Sequence, residues 1–450
     1  MKKILFAASA FALVMVSSLA LIPKDAEAIP VFARKYGMAC ASCHTMFPKL
    51  TKMGVAFRER GFRFAAGRDD IEIQDERGKN YDAGGESPAA VFAAAFPFTV
   101  RTQIFYSGAG PIEADDGVAV MPGHRPGMLD GASENNPKIG FGELGLISSG
   151  SYDDFSWWLD ANLDGIGMLE GIYYVNDLLK VRLGRVQNNV GYGMTMMSHR
   201  PLGYGWNDAA QMAGGTMLMM ADGISIQGTT NGDSGVGTSY NLTYGTFGTN
   251  DNQNGEDSTS LFGRIAQEIM GNHIIGVYGY RATNYSSDAF GGEASMLMAM
   301  GAPGATIATA MQFKDVTRYG IDFAINYGEP LQLWGAYTTG ENTSFASGQK
   351  LKVDAFTVSG EWKVADAWMI GTKYDSSEIE LQMGTATILK PEATTHATLY
   401  GIHQLAENVQ AILSYTRSSD VVERMGIAAG ATNATVSNFN SVLFALDIAL

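Results

Sequence analysis

From about Val91 to the C-terminus, apolar and polar residues alternate in segments of roughly 10 residues, and this pattern limits the fold more than any other feature. Tyr319, Ile321, Phe323, Ile325 and Tyr327 alternate with Gly320, Asp322, Ala324 and Asn326. Phe155, Trp157, Leu159, Ala161 and Leu163 alternate in the same way with Ser156, Trp158, Asp160 and Asn162. Side chains one apart on a strand point to opposite faces, so each segment reads as a strand with one apolar and one polar side. A soluble sandwich alternates too, so the joins have to decide. Strands are expected near positions 95, 138, 154, 167, 178, 217, 235, 259, 272, 317, 329, 352, 366, 395, 406 and 438.

The joins between these segments mostly run long, short, long, short. Short ones include Tyr152-Asp153, Gly271, Gly328-Glu329, Ala365-Asp366 and Ala406-Glu407. Asp164-Gly165 is short where the rule calls for a long loop. An even strand number with alternating loops and turns is the signature of an outer-membrane barrel. The expected fold is therefore all-β: an antiparallel transmembrane β-barrel of about 16 strands over residues 91–450. Trp157, Tyr173, Trp334, Tyr337, Trp362, Trp368, Tyr374 and Tyr415 lie near strand ends and suit aromatic girdles at the two lipid interfaces. In the last ten residues the even positions, Val442 to Leu450, are all apolar, as a lipid-facing strand requires.

Composition agrees by exclusion. Apolar residues make up 46% of the 450, and 10% are aromatic, which excludes a disordered chain. Past the N-terminus no apolar run approaches the roughly 20 residues of a spanning helix. A formal charge of −15 argues against nucleic acid as a partner. Residues 65–90, rich in charge and glycine, read as a linker. The loop 286–312, with Met296, Met298 and Met300, suggests no function, and phosphate loops, catalytic triads and H-E-x-x-H sites are absent.

Residues 1–28 read as a secretory signal. Lys2 and Lys3 form the positive start, Ile4 to Ile22 the apolar stretch, and Ala26-Glu27-Ala28 the small-residue cleavage site. An uncleaved anchor helix is the competing reading, and either one exports the protein. The two cysteines of the protein then fall in one pentapeptide, Cys40-Ala41-Ser42-Cys43-His44. In an exported protein the C-x-x-C-H spacing is the attachment signature of c-type haem. Thiols three apart on a helical turn reach the two vinyl groups as thioethers, and the adjacent histidine binds iron from below. A thioredoxin-type pair lacks its βαβ context, and a zinc site lacks a second ligand pair.

The sixth iron ligand stays open. Met46 is too close to His44 to swing over the ring. Met53 is far enough along to return on a second helix and is preferred, while His124, His199, His273, His396 and His403 remain if the later part surrounds the haem, and an open or water-bound position is the other alternative. The haem module, residues 29–64, is short. Below roughly 40 residues a polypeptide rarely builds its own core, so a small helical module of this size needs something else to bury its haem. The barrel lumen is the expected place.

The module reads Pro30-Val31-Phe32-Ala33-Arg34, Gly37-Met38-Ala39-Cys40, His44-Thr45-Met46-Phe47-Pro48-Lys49-Leu50-Thr51, then Gly54 and Phe57 to Gly61-Phe62. It resembles the fused monohaem cytochrome–porin family, the outer-membrane c-type cytochromes of iron-oxidising bacteria. The motif likeness covers about 35 residues, while over the barrel it is architectural. The resemblance implies one covalent haem c on Cys40, Cys43 and His44, with Arg34 neutralising a propionate and Phe47, Pro48 and Leu50 packing on the haem edge. Local folding of a tiny module is the competing role for these last four. The family's pattern carries an aromatic residue where this protein has Met53.

Electron transfer across the outer membrane is what the resemblance implies, in the manner of an Fe(II):cytochrome c oxidoreductase or a plain electron carrier. Electrons would pass from extracellular Fe(II) to a periplasmic c-type cytochrome. Acidic loop residues Glu113, Asp115, Asp116, Glu256 and Asp257 are of the oxygen-ligand type that attracts Fe(II), and of the type that merely solvates a loop. The competing functions are a diffusion porin whose haem is a structural plug, and electron export to extracellular acceptors.

Overall fold

The computed structural model describes residues 40–46, 49–62, 98–109, 120–121, 138–152, 154–162, 165–188, 220–230, 236–246, 259–285, 313–344, 349–389, 393–406, 409–421, 423–424 and 436–449. The predicted signal 1–28, the linker 65–90, the methionine-bearing loop 286–312 and the acidic loop residues named above lie outside them.

Four small elements come first: α1 Cys40–Cys43, β1 His44–Met46, β2 Lys49–Leu50 and α2 Lys52–Glu59. The described part of the N-terminal module is thus two helices separated by a hairpin, rather than helical throughout. Among the described residues sixteen antiparallel strands then close one barrel. Its first half consists of β3 Phe98–Ala109, β5 Lys138–Tyr152, β6 Phe155–Asn162, β7 Gly165–Asn176, β8 Leu179–Gln187, β9 Met220–Thr229, β10 Thr238–Thr246 and β11 Thr259–Ile269. The second half is β12 His273–Tyr285, β13 Phe313–Ile325, β14 Leu331–Ser344, β15 Gln349–Ala365, β16 Trp368–Met383, β18 Thr394–Ala406, β19 Val409–Val421 and β21 Val436–Ala449. The short β17 Ala386–Leu389 folds back on the end of β16, and β4 Val120–Met121 pairs with β20 Glu423–Arg424. Pairing of β21 with β3 closes the ring. Each barrel strand begins within about four residues of the position its alternation predicted.

Consecutive strands are antiparallel, so their joins alternate between the two ends. The joins 153–154, 177–178, 230–237, 270–272, 326–330, 366–367 and 407–408 share one end, which is the periplasmic end in outer-membrane barrels. The join at 163–164 is short at the opposite end, where the sequence broke its own rule. The three-residue join after β11 is tight because Met270 and Gly271 both take positive φ (55° and 76°), the centre of a turn in which the Asn272 amide donates to the Ile269 carbonyl at 3.4 Å.

Parity sorts the side chains. On β10, Asn241 and Thr243 are buried toward the lumen, while Leu242 and Tyr244 are exposed outward. On β21, Leu443, Ala445 and Asp447 face in, and Val442 is exposed on the outer face with Phe444, Leu446 and Ile448 half-buried beside it. The outer face is apolar, as immersion in lipid demands. Tyr173, Tyr337, Trp362, Trp368, Tyr374 and Tyr415 stand exposed on it, as the girdle reading expected. Trp334 does not. It lies on the inward parity of β14 and is only 6% exposed, so it belongs to the lumen wall.

Candidate functional site

The Cys-x-x-Cys-His turn is held in place by Thr51. Its amide donates to the Cys43 carbonyl and its hydroxyl to the Ser42 carbonyl, both at 2.9 Å. The same hydroxyl accepts from the Gly54 amide at 3.1 Å, capping the first turn of α2. Gly54 makes the crossing possible: a Cβ there would sit 2.1 Å from the Cys43 carbonyl oxygen. α2 ends as helices with a left-handed glycine commonly do. Gly61 takes φ 77°, the Phe62 amide donates to the Phe57 carbonyl at 3.0 Å, and the two rings meet edge-on at 6.2 Å.

Met46 and residues 49–62 of this segment pack on inward-facing wall residues near the short turns. Three apolar patches on the inner wall each receive part of it. Met46 packs with Met369, Tyr400, Ile402, Ile412, Leu443 and Ala445. Val55, with Leu50 beside it, packs with Val236, Ala266, Ile274, Ala324, Tyr327 and Trp334. Phe57 and Phe62 pack with Trp158, Met168 and Ile172, the Phe62 and Trp158 rings stacked at 4.8 Å. Inward apolar side chains would be out of place in a water-filled pore, whose wall is polar. Here they cover the module that was too small to cover itself.

Polar contacts complete the seat. Arg60 pairs with Asp177 in the turn between β7 and β8 at 3.1 Å, and Lys52 lies 3.5 Å from Glu329 in the turn after β13. Lys180 donates to the Glu59 carbonyl, meeting the negative end of α2 from the wall. Elsewhere on the wall, oppositely charged side chains pair with each other: Arg264 with Asp322 at 2.6 Å, Lys373 with Asp375 at 3.3 Å, Arg101 with Asp447 at 2.8 Å and Arg182 with Glu170.

The sequence-predicted site residues divide as follows. Cys40 to Cys43 form the single turn of α1, and His44 follows it directly at the start of β1. The Cys43 side chain is half-buried, and burial pushes its thiol above the ordinary value of 9.0. His44 is half-buried as well. Met46 is buried against the wall, whereas Met53 stands 37% exposed in the first turn of α2. His396 occupies an inward position on β18. His403 faces outward, stacked on Trp368 at 4.1 Å, and His273 accepts from the Asn326 amide through Nδ1 at a short turn. Arg34, Phe47, His124 and His199 lie outside the described residues.

The donor set fits a c-type haem: two cysteines on one helical turn, a half-exposed thiol, and the histidine immediately after. The three apolar wall patches provide the enclosure that the module alone lacks. Inspection of sequence did not find the wall residues Trp158, Lys180, Trp334, Glu361 and Tyr400. A signal was there: Ile274, Ala324, Ala336, Ile412, Leu443 and Ala445 put apolar side chains on the inward parity near the short turns.

No protein-family model matches the sequence, and no curated protein matches it. Solved structures do. The outer-membrane protein OmpT of Vibrio cholerae shares 12% identity at a TM-score of 0.51, covering 78% of this protein and 97% of its own length. The anion-selective porin from Comamonas acidovorans shares 14% identity at 0.50, covering 78% and 98%. At such identities the likeness is one of fold: the protein has the barrel fold of outer-membrane porins.

Proposed function

We propose that this protein carries electrons across the outer membrane through one covalent haem c, attached at Cys40 and Cys43 and ligated by His44. On this reading extracellular Fe(II) donates and a periplasmic c-type cytochrome accepts. The observation that supports the reading is the packing of Met46, Leu50 and Val55, which follow the Cys-x-x-Cys-His turn, on inward-facing wall residues near the short turns. A solute porin needs an open polar channel, and a soluble cytochrome needs no barrel. A redox centre inside a barrel serves a donor on one side and an acceptor on the other.

When bound, the haem would supply a one-electron Fe(III)/Fe(II) couple, so each Fe(II) oxidised to Fe(III) outside would deliver one electron that reduces one periplasmic acceptor haem. The protein's own residues do the rest. Cys40 and Cys43 would fix the ring as thioethers, His44 would hold the iron, and Met53, exposed on α2, would be a further thioether donor. The apolar wall would exclude water from the ring edge and favour the less charged reduced state, raising the potential. The periplasmic acceptor meets the short turns, and the donor comes from the loop end.

Mixing oxidised, purified protein with Fe(II) in detergent tests this directly. Conversion of the haem spectrum to its reduced form is the expected result. No reduction at any pH where Fe(II) is soluble would remove Fe(II) as donor. Reduction from the periplasmic face alone, in oriented liposomes, would turn the direction outward.

A second reading, a diffusion porin with a structural haem, is supported by the likeness of the barrel to porins. Large ion conductance in planar bilayers, unchanged when the haem is absent, would favour it.

A further inference from the structure

One rung of the lumen wall is built to receive the β1–β2 hairpin. Gln332, Glu361, Gly371 and Tyr400 are successive register partners across β14, β15, β16 and β18, and all four face inward. Lys49 of the hairpin reaches this rung. Its Nζ lies 3.7 Å from Glu361 Oε2 and 4.4 Å above the centroid of the Trp334 ring, one rung further in. The Lys49 and Glu361 side chains are 5% and 1% exposed. Gln332 Nε2 donates to the Thr45 hydroxyl at 3.3 Å, on the other arm of the hairpin.

Tyr400 shows that the rung is fitted rather than incidental. It lies flat across the intervening strand and donates to Glu361 Oε1 at 2.6 Å. It can do so only because residue 371 is glycine: a Cβ there would stand 2.1 Å from Tyr400 Cζ. Glu361 is thereby fixed by the wall on one oxygen and offers the other to Lys49. The same Tyr400 lines the pocket that takes Met46. The hairpin is thus held through Thr45, Met46 and Lys49, by residues from six strands, β14, β15, β16, β18, β19 and β21.

We propose that this rung, with Glu361 at its centre, is a receptor that locks the N-terminal segment in the lumen, so that the barrel is permanently closed to solutes at its short-turn end. A buried carboxylate that loses its cation, or a buried ammonium that loses its carboxylate, is strongly unfavourable. The hairpin therefore has one stable seat, on a wall where Asp322, Asp375, Asp447 and Glu170 already hold cations of their own. This inference does not depend on the haem or on the donor.

The test uses full-length protein purified from outer membranes, with Glu361→Gln and Gly371→Ala as separate variants. Glu361→Gln removes the charge while preserving shape, and Gly371→Ala leaves Glu361 in place but lifts Tyr400 off it. Both are expected to speed trypsin cleavage after Lys49 or Lys52 by at least about tenfold, and to raise planar-bilayer conductance. Exchanging the pair, Lys49→Glu with Glu361→Lys, is expected to restore most of the closure. Slower migration of unheated protein on denaturing gels would show a lost barrel, and only variants that keep the folded mobility are scored. Parent-like conductance and trypsin resistance in both variants would overturn the proposal, as would large solute conductance in the parent. Repeating the set in a Cys40→Ala, Cys43→Ala background separates it from the haem reading: the lock should respond identically without haem.

Discussion

Replacing Gly54 with alanine sets two known effects against each other. In a helix, alanine is favoured over glycine by up to about 1 kcal/mol. Opposing this, the added Cβ would lie 2.1 Å from the Cys43 carbonyl oxygen and 3.0 Å from Leu50 Cδ2. The first neighbour is backbone, so no side-chain rotation relieves the overlap, and α2 has to move away from the Cys-x-x-Cys turn. Overpacking of this kind costs about 1–3 kcal/mol. The shift also strains the two Thr51 hydrogen bonds to Cys43 and Ser42, worth about 1 kcal/mol each. The net expectation is a loss of about 2 kcal/mol, or a factor of about thirty in the local opening of residues 40–62. Hydrogen exchange read by mass spectrometry on detergent-solubilised protein measures this segment and the barrel strands separately. Gly263→Ala is the control, because its Cβ would meet only Leu242, at 3.6 Å. If Gly54→Ala left the segment as protected as in the parent, the close crossing of helix and turn would be refuted.

Other substitutions probe the same site from different sides. Lys180→Met keeps the bulk but removes the donor to the Glu59 carbonyl; faster exchange at Arg60 to Phe62, by about tenfold, is expected with β12 to β19 unaffected. In protein made without haem, alkylation of Cys43 should be slower at pH 7–8 than in the unfolded state, since burial holds the folded thiol above 9.0. The sign follows for stability too: the contribution of this group is complete below about pH 9 and is lost as pH rises through the raised value, so a Cys43→Ala variant should flatten the alkaline end of the melting curve. With haem attached, neither cysteine should react. Met53→Ala is expected to lower the reduction potential, because a thioether axial ligand raises it; an unchanged potential and visible spectrum would exclude Met53 as ligand.

The barrel was legible in the sequence because its determinants are local. Period-2 alternation names each strand and its two faces, and join length names the end of the barrel, so the sixteen strand starts needed no tertiary information. The Cys-x-x-Cys-His turn was equally legible, since its chemistry needs only contiguous residues. Trp334 marks where this kind of reading stops. Trp334 and Trp362 both lie near a strand end; Trp334 shares the inward parity of Gln332 and Thr338, and only the tertiary structure shows that it meets Lys49 there. Lys49 itself looks like any surface lysine until Glu361, more than three hundred residues away, comes to 3.7 Å from it.

The sequence by itself determined the strands of a barrel with an apolar outer face and one contiguous Cys-x-x-Cys-His turn, because these follow from periodicity and adjacent residues. Only the tertiary structure decided which wall patches receive the residues that follow the turn, and which strands grip the hairpin. Those contacts join residues far apart in the sequence, and closure of the ring is what brings them to one rung.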